Sequence, residues 1–267
     1  MQNSNIFIGK DTVTKIASPD RMRIEVEKNL RAFVIANKCG LFKVPQLIDY
    51  DENNGVARFK RIHQITPIYE LVNGPGDVVT LVEKIGRCLA VIHRELVLPE
   101  EMIIPLASEF DQPGEKVFLH GDYNGSNIFL SGDMTSIVIL DWQMSSRHGG
   151  EATYGNRYFD VIWFLNYFLW SPMLHRLFRE PVLGITKPFL KAYFKESGLP
   201  YDSSGVLRYA KIFFSLKLPD RIRQANWKTR LLLPRSYILT QKFLKFLADL
   251  DITVSSGREG IQERIPR

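Results

Sequence analysis

His120, Asp122 and Asn127 stand at the spacing His-x-Asp-x-x-x-x-Asn inside the stretch Val117-Phe118-Leu119-His120-Gly121-Asp122-Tyr123-Asn124-Gly125-Ser126-Asn127-Ile128-Phe129-Leu130. A second apolar run, Ile137-Val138-Ile139-Leu140, then delivers Asp141, with Trp142 and Gln143 behind it. Apolar runs on either side mean that the polar residues hang from buried walls. A carboxylate on such a loop can accept or orient the proton of an attacking hydroxyl. An amide oxygen and a second carboxylate are hard ligands of the kind Mg²⁺ prefers, and it takes one or two from protein when phosphates supply others. Phosphoryl transfer needs those groups, a cation against the phosphate charge, and little else. Asp122 suits the catalytic role; Asn127 and Asp141 suit the metal. The competing reading is a surface turn rich in Asp, Asn and Gly.

The elements that must hold these residues can be read from the flanks. Asn5 to Gly9 and Thr12 to Ala17 have the β-branched, alternating pattern of two short strands. Ser18-Pro19-Asp20 is a helix start, and Val26, Leu30, Phe33 and Val34 recur at helical spacing, so a helix is predicted from Met22 to Asn37 with Gly40 as its stop. Val44 to Tyr50 and Val56 to Ile62 form a strand pair around Asn54-Gly55, a strong hairpin signal. After His63 helical patterns dominate, broken by short strands near Val117 and Ile137. The apolar stretch from Val161 to Trp170 is about half a membrane span and holds Asn166, so it reads as a buried helix. A strand-rich lobe leading into a helical one is an α+β arrangement with a cleft between.

On these residues the chain resembles the aminoglycoside phosphotransferase and choline kinase group of small-molecule kinases, which share the protein-kinase fold. The phrase Leu119-His120-Gly121-Asp122 with Asn127, then Leu140-Asp141-Trp142, follows the group's loop and metal motifs, with Gly121 where protein kinases carry Arg. Cys88-Leu89-Ala90-Val91-Ile92-His93 resembles the helix before the loop, and Tyr158-Phe159-Asp160-Val161 the later motif in which an Asp opens a buried helix. The likeness spans residues 5 to about 195. It implies a two-lobed fold, with residues 1–62 binding nucleotide and residues 63–267 forming the helical catalytic and acceptor lobe. It also implies ATP and Mg²⁺ as cofactors, with Lys15 reaching the α- and β-phosphates. A helix carboxylate should pair with Lys15, and Glu27, which shares a helix face with Leu30 and Val34, is the choice over Glu25. The adenine should lie against the segment joining the lobes, Phe59 to His63, making Arg61, Ile62 and His63 cofactor-binding. His120 is expected to brace the loop, His93 to satisfy a local carbonyl, and Asp160 to bond backbone amides from a buried position. Two departures stand out: no glycine-rich phosphate loop precedes Lys15, leaving Ser4, Asn5 and Gly9, and Gln143 replaces a second carboxylate.

Composition narrows the acceptor. The chain is 45% hydrophobic and 24% charged, that of a folded protein, not a disordered one. No basic stretch followed by a long apolar run opens the chain, so a cytoplasmic location is expected. Cys39 and Cys88 form no metal or disulfide pattern and read as small core residues. The net charge of +6 is concentrated in residues 208–245, which carry ten basic side chains and a single acid, Asp220. Such a field either attracts an anionic partner or is a solvated basic helix face. The leading expectation is a kinase for a hydroxyl on a neutral or anionic compound, sugar-like or a lipid-linked saccharide. The alternatives are an antibiotic-inactivating phosphotransferase and a nucleotide-binding pseudokinase that docks nucleic acid or an anionic membrane through residues 208–245. No obligate protein partner is evident. About twenty residues between Asp141 and Asp160 leave no room for the activation loop of a protein kinase.

Overall fold

The computed structural model describes residues 5–72, 77–144, 151–170, 181–224 and 227–253. Strand β1 (Asn5–Ile8) turns into β2 (Thr12–Ile16), with the Gly9 amide donating to the Thr12 carbonyl at 2.8 Å. Strands β4 (Leu47–Asp51) and β5 (Val56–Lys60) complete an antiparallel sheet of order β1-β2-β5-β4. The hairpin read at Asn54-Gly55 forms: the Asp51 carboxylate accepts the Asn54 amide N–H at 3.1 Å and closes the turn. Helix α1 (Pro19–Cys39) starts with proline in its first turn and ends at Gly40, whose left-handed backbone (φ 67°) returns its N–H to the Ala36 carbonyl. Met22 and Val26 on α1 meet Ala57 and Phe59 on β5 in a small core, and burying each of the larger three stabilises it by roughly 1.5–3 kcal/mol.

The buried face of α1 differs from the one the apolar spacing predicts. Leu30 and Val34 are 42% and 66% exposed, whereas Met22, Glu25, Asn29, Ala32 and Ala36 point inward. Three polar residues, Glu25, Lys28 and Asn29, share that inward face, so an apolar count rotates the helix to the wrong side.

A second sheet carries the hairpin that joins Asn127 to Asp141. Strands β8 (Ile128–Ser131) and β9 (Ile137–Ile139) pair antiparallel, flanked by β6 (Ile65–Pro67) on β8 and by β3 (Phe42–Lys43), which runs parallel to β9. Strand β7 (Lys116–Phe118) pairs with β10 (Tyr154–Asn156) and brackets the start of the loop. The rest is helical: α2 (Ile68–Leu71), α3 (Val78–Glu95), α4 (Tyr158–Trp170), α5 (Pro181–Ser197), α6 (Ser203–Gln224) and α7 (Trp227–Ala248). Helices α3 and α5 touch backbone to backbone at Gly86, where a Cβ would lie 2.5 Å from the Phe189 carbonyl oxygen. Cys88 is buried there and Cys39 half-buried, both as free thiols. Helix α4 is buried along most of its described length, as its sequence predicts. The architecture is the expected one, a β-sheet N-terminal region and a helical C-terminal part. Among the described residues no helix is long and apolar enough to cross a membrane.

Candidate active site

The loop is held from behind by one carboxylate. Asp160, in the first turn of α4 and fully buried, accepts the His120 amide at 2.7 Å and the Gly121 amide at 2.9 Å. It also meets His93 Nε2 at 3.1 Å, while His93 Nδ1 lies 2.8 Å from the Tyr193 hydroxyl. Arg157 donates to that hydroxyl at 2.7 Å and to Glu115 at 2.6 Å. His93 therefore serves a carboxylate and a phenol instead of the local carbonyl expected. Burial alone would push the Asp160 carboxyl up, but the bonds from His93 and the Gly121 amide bring it below its ordinary value. Gly121 turns the chain at φ +90°, and a Cβ there would lie 3.0 Å from the Met144 Cα. His120 is buried against Trp142, ring centroids 4.6 Å apart, and its Nδ1 accepts the Asp122 amide at 3.2 Å. Burial lowers its pKa to about 4, so it is a neutral brace with the proton on Nε2.

Asp122 emerges from this turn into a ring of neutral donors. Its Oδ1 accepts the Trp163 indole N–H and the Asn124 amide, both at 2.8 Å. Its Oδ2 accepts the Asn127 amide at 2.8 Å. Burial raises the Asp122 pKa to about 6, the three donors opposing it and Asp141 adding to it. A carboxylate poised there can take a proton near neutral pH.

Opposite stands a charged cluster. Lys15 Nζ lies 2.5 Å from Glu25 Oε1 and 2.8 Å from Asp141 Oδ1. Burial works against the lysine charge, but the two carboxylates more than offset it and its pKa rises. The partner of Lys15 is thus Glu25, and the sequence-based choice of Glu27 is corrected. Glu27 pairs with Arg31 at 2.7 Å, one turn along the outer face of α1. The reason is the rotation of α1 described above: the face with Leu30 and Val34 looks outward. Asp141 has a left-handed backbone (φ 57°), a conformation costing roughly 1–3 kcal/mol away from glycine, which turns its carboxylate back toward Lys15.

Asn127 and Asp141 are neighbours across the β8–β9 ladder, where the Leu140 amide donates to the Asn127 carbonyl at 2.9 Å. Both line a cavity of about 530 Å³, together with Lys15 and Glu25. Asn127 turns its NH₂ to Asp122, and no described residue donates to its amide oxygen. Two oxygen donors, a neutral amide and a carboxylate, facing one cavity fit Mg²⁺ shared with phosphates. No larger cluster of His, Cys, Asp and Glu suited to a metal occurs among the described residues. Arg61, Ile62 and His63 line the same cavity, with Ile6, Ile8 and Phe129 giving it apolar walls. Arg61 also donates to the Gly9 carbonyl at 2.8 Å, and His63 lies 3.5 Å from Asp11, so the joining segment is tied to the β1–β2 turn.

Sequence reasoning missed Glu25, Asn124, Lys28 and Trp163. Trp163 had a signal: it lies three residues after Asp160 and so shares its helix face. The basic segment is only partly a surface. Arg208, Lys211, Lys242 and Lys245 are exposed, but Lys217 is buried, its ammonium 5.2 Å from the Phe110 ring centroid. The side chains of Arg221, Lys228 and Arg230 lie outside the described residues.

The fold is protein-kinase-like, and in it loop, cation and carboxylates converge as phosphoryl transfer requires. Residues 105–184 match the model of the APH family, described as the phosphotransferase enzyme family. Among solved structures, a choline/ethanolamine kinase family protein from Mesorhizobium loti is similar at 14% identity and a TM-score of 0.55, over 93% of this chain and 89% of that one. A macrolide 2'-phosphotransferase from Brachybacterium faecium is similar at 14% identity and a TM-score of 0.48, over 85% and 84%. An aminoglycoside phosphotransferase from Streptomyces rimosus, in complex with ADP and streptomycin, is similar at 13% identity and a TM-score of 0.46, over 74% and 84%. No curated protein matches the sequence. The resemblance read from the motifs and the enzyme class it implied, a phosphotransferase, are borne out.

Proposed function

We propose that this protein moves the γ-phosphate of ATP, with Mg²⁺, to a hydroxyl of a small neutral or anionic acceptor, sugar-like or a lipid-linked saccharide, in the cytoplasm. One observation carries the reading: Lys15, Asn127 and Asp141 line one cavity, and Asn127 donates to Asp122. Residues 1–62 bind the nucleotide, with Arg61, Ile62 and His63 beside the adenine, and residues 63–267 bring the base and the acceptor.

Asp122 accepts the proton of the acceptor hydroxyl. The freed oxygen forms its bond to the γ-phosphorus as the bond from phosphorus to the ADP oxygen breaks, and ADP leaves. Lys15, held by Glu25, places its ammonium against phosphate charge. Asn127 and Asp141 would hold Mg²⁺, which supplies charge neutralisation on the phosphates. The exposed cations Arg208, Lys211, Lys242 and Lys245 support an acceptor that is not a polycation, because like charges repel.

Two measurements test the reading. ATP with Mg²⁺ should raise the melting temperature of the wild type, as a ligand of the folded state does. ATP turnover should then appear on a panel of sugars, sugar phosphates, macrolides and aminoglycosides, and vanish with Asp122→Ala. Turnover that is unchanged in the variant removes Asp122 from its role, and turnover confined to aminoglycosides overturns the assigned acceptor class.

A further inference from the structure

Lys28 is fully buried on α1, one turn beyond Glu25 on the same face. Its ammonium donates to the His120 carbonyl at 2.7 Å. The amide N–H of that same peptide unit, on Gly121, donates to Asp160 at 2.9 Å. One peptide group, that between His120 and Gly121, is therefore gripped at its oxygen by a cation from α1 and at its nitrogen by an anion from α4. A peptide dipole with its oxygen toward a cation and its N–H toward an anion is fixed in orientation, and charge-assisted bonds are about twice as strong as neutral ones. That peptide sets the Gly121 turn, and the turn aims Asp122.

We propose that Lys28 is a positioning residue of the catalytic loop, clamping the His120–Gly121 peptide against Asp160 and so coupling α1 to the direction of Asp122. The inference rests on the phosphotransferase reading only for its effect on turnover; the clamp itself stands on the two bonds. A hydrophobic side chain of similar length would fill the site without bringing a charge into it, so packing alone gives no reason for a lysine. Burial drives the Lys28 pKa down to about 8, against the pull of Asp160 on α4, Glu25 on α1, Asp141 after β9 and Asp122 on the loop. Its folded pKa lies below the unfolded one, so the ammonium weakens the fold below pH 8, and that penalty disappears as pH rises from 8 toward 10.5. A residue kept for stability alone has the opposite signature.

The test compares wild type with Lys28→Met and Lys28→Arg in the full chain. The Gly121 amide resonance, followed by NMR without nucleotide, should shift with a midpoint near pH 8 in the wild type. Lys28→Met should abolish that shift. In turnover of ATP, with water as the acceptor, Lys28→Met should lower kcat by about tenfold or more while the Kd for ATP stays within about twofold. Its melting temperature at pH 7 should hold or rise, and Lys28→Arg should recover part of kcat. A Gly121 resonance that titrates identically in wild type and Lys28→Met overturns the clamp. An unaltered kcat in Lys28→Met, or a melting temperature that falls in step with activity, overturns the positioning role. A wild type with no ATP turnover on water or on the acceptor panel, but a Gly121 shift that Lys28→Met removes, would sink the phosphotransferase reading and leave the clamp intact.

Discussion

The loop from His120 to Asn127 has an anchor and a tip, each an aspartate: the anchor is fully buried, the tip half-buried. Asp160, the anchor, is bonded by two backbone amides and His93, and its carboxyl sits below the ordinary value despite complete burial. Asp122, the tip, is bonded by the side-chain N–H groups of Trp163, Asn124 and Asn127, and its pKa is raised to about 6. Desolvation pushes both carboxyls up, and the outcomes are opposite because the anchor has the His93 ring and rigid main-chain dipoles aimed at it, whereas the tip has only neutral side-chain donors and a second carboxylate, Asp141, nearby. A permanently ionised acid makes a mooring. One that can gain and lose a proton at working pH makes a base.

That contrast can be broken from either side. Asp122→Ala should lower phosphoryl transfer by about a thousandfold, within the range of a lost general base, with ATP binding retained in a thermal-shift titration. Asp160→Ala should instead act on the fold: with the His120 and Gly121 amides left unpaired, it should cost roughly 3 kcal/mol or more in chemical denaturation, and turnover should fall with the loop. If Asp160→Ala keeps full stability, the anchor is not one. Below the tip's midpoint the pH profile sharpens the contrast further. Because the base works only when ionised, kcat/KM should climb between pH 5 and 7 around about 6. At pH 5 it should lie roughly tenfold under the plateau. The smallest effects separate the two glutamates of α1. Glu25→Gln should weaken ATP-dependent turnover by about tenfold or more through misplacement of Lys15. Glu27→Gln, which opens only a surface pair with Arg31, should change stability by no more than about 0.5 kcal/mol and leave turnover alone.

The residues that these variants touch show what a sequence can and cannot reveal. The juxtaposition of Asp122, Asn127 and Asp141 was legible because it follows from fixed spacing on one loop and one strand end, and spacing is what a sequence records. The strand pair around Asn54-Gly55 and the buried α4 were legible for the same local reason. Glu25 was not, because the inward face of α1 is polar: Glu25, Lys28 and Asn29 take the places where an apolar periodicity looks for leucines. Trp163 and Lys28 were hidden differently. Each acts across more than forty residues of chain, on Asp122 and on the His120 carbonyl, and no local pattern encodes such a partner.

Strand β3 directly follows α1 and lies parallel beside β9, which ends next to Asp141. The backbone pairing of Phe42 and Lys43 with β9 thus stitches the chain leaving α1 to the strand that leads to Asp141. Any motion that separated α1 from β9 at this edge would have to break that ladder. Lys15 and Asp141, already 2.8 Å apart, are thus charges set in place before any guest arrives.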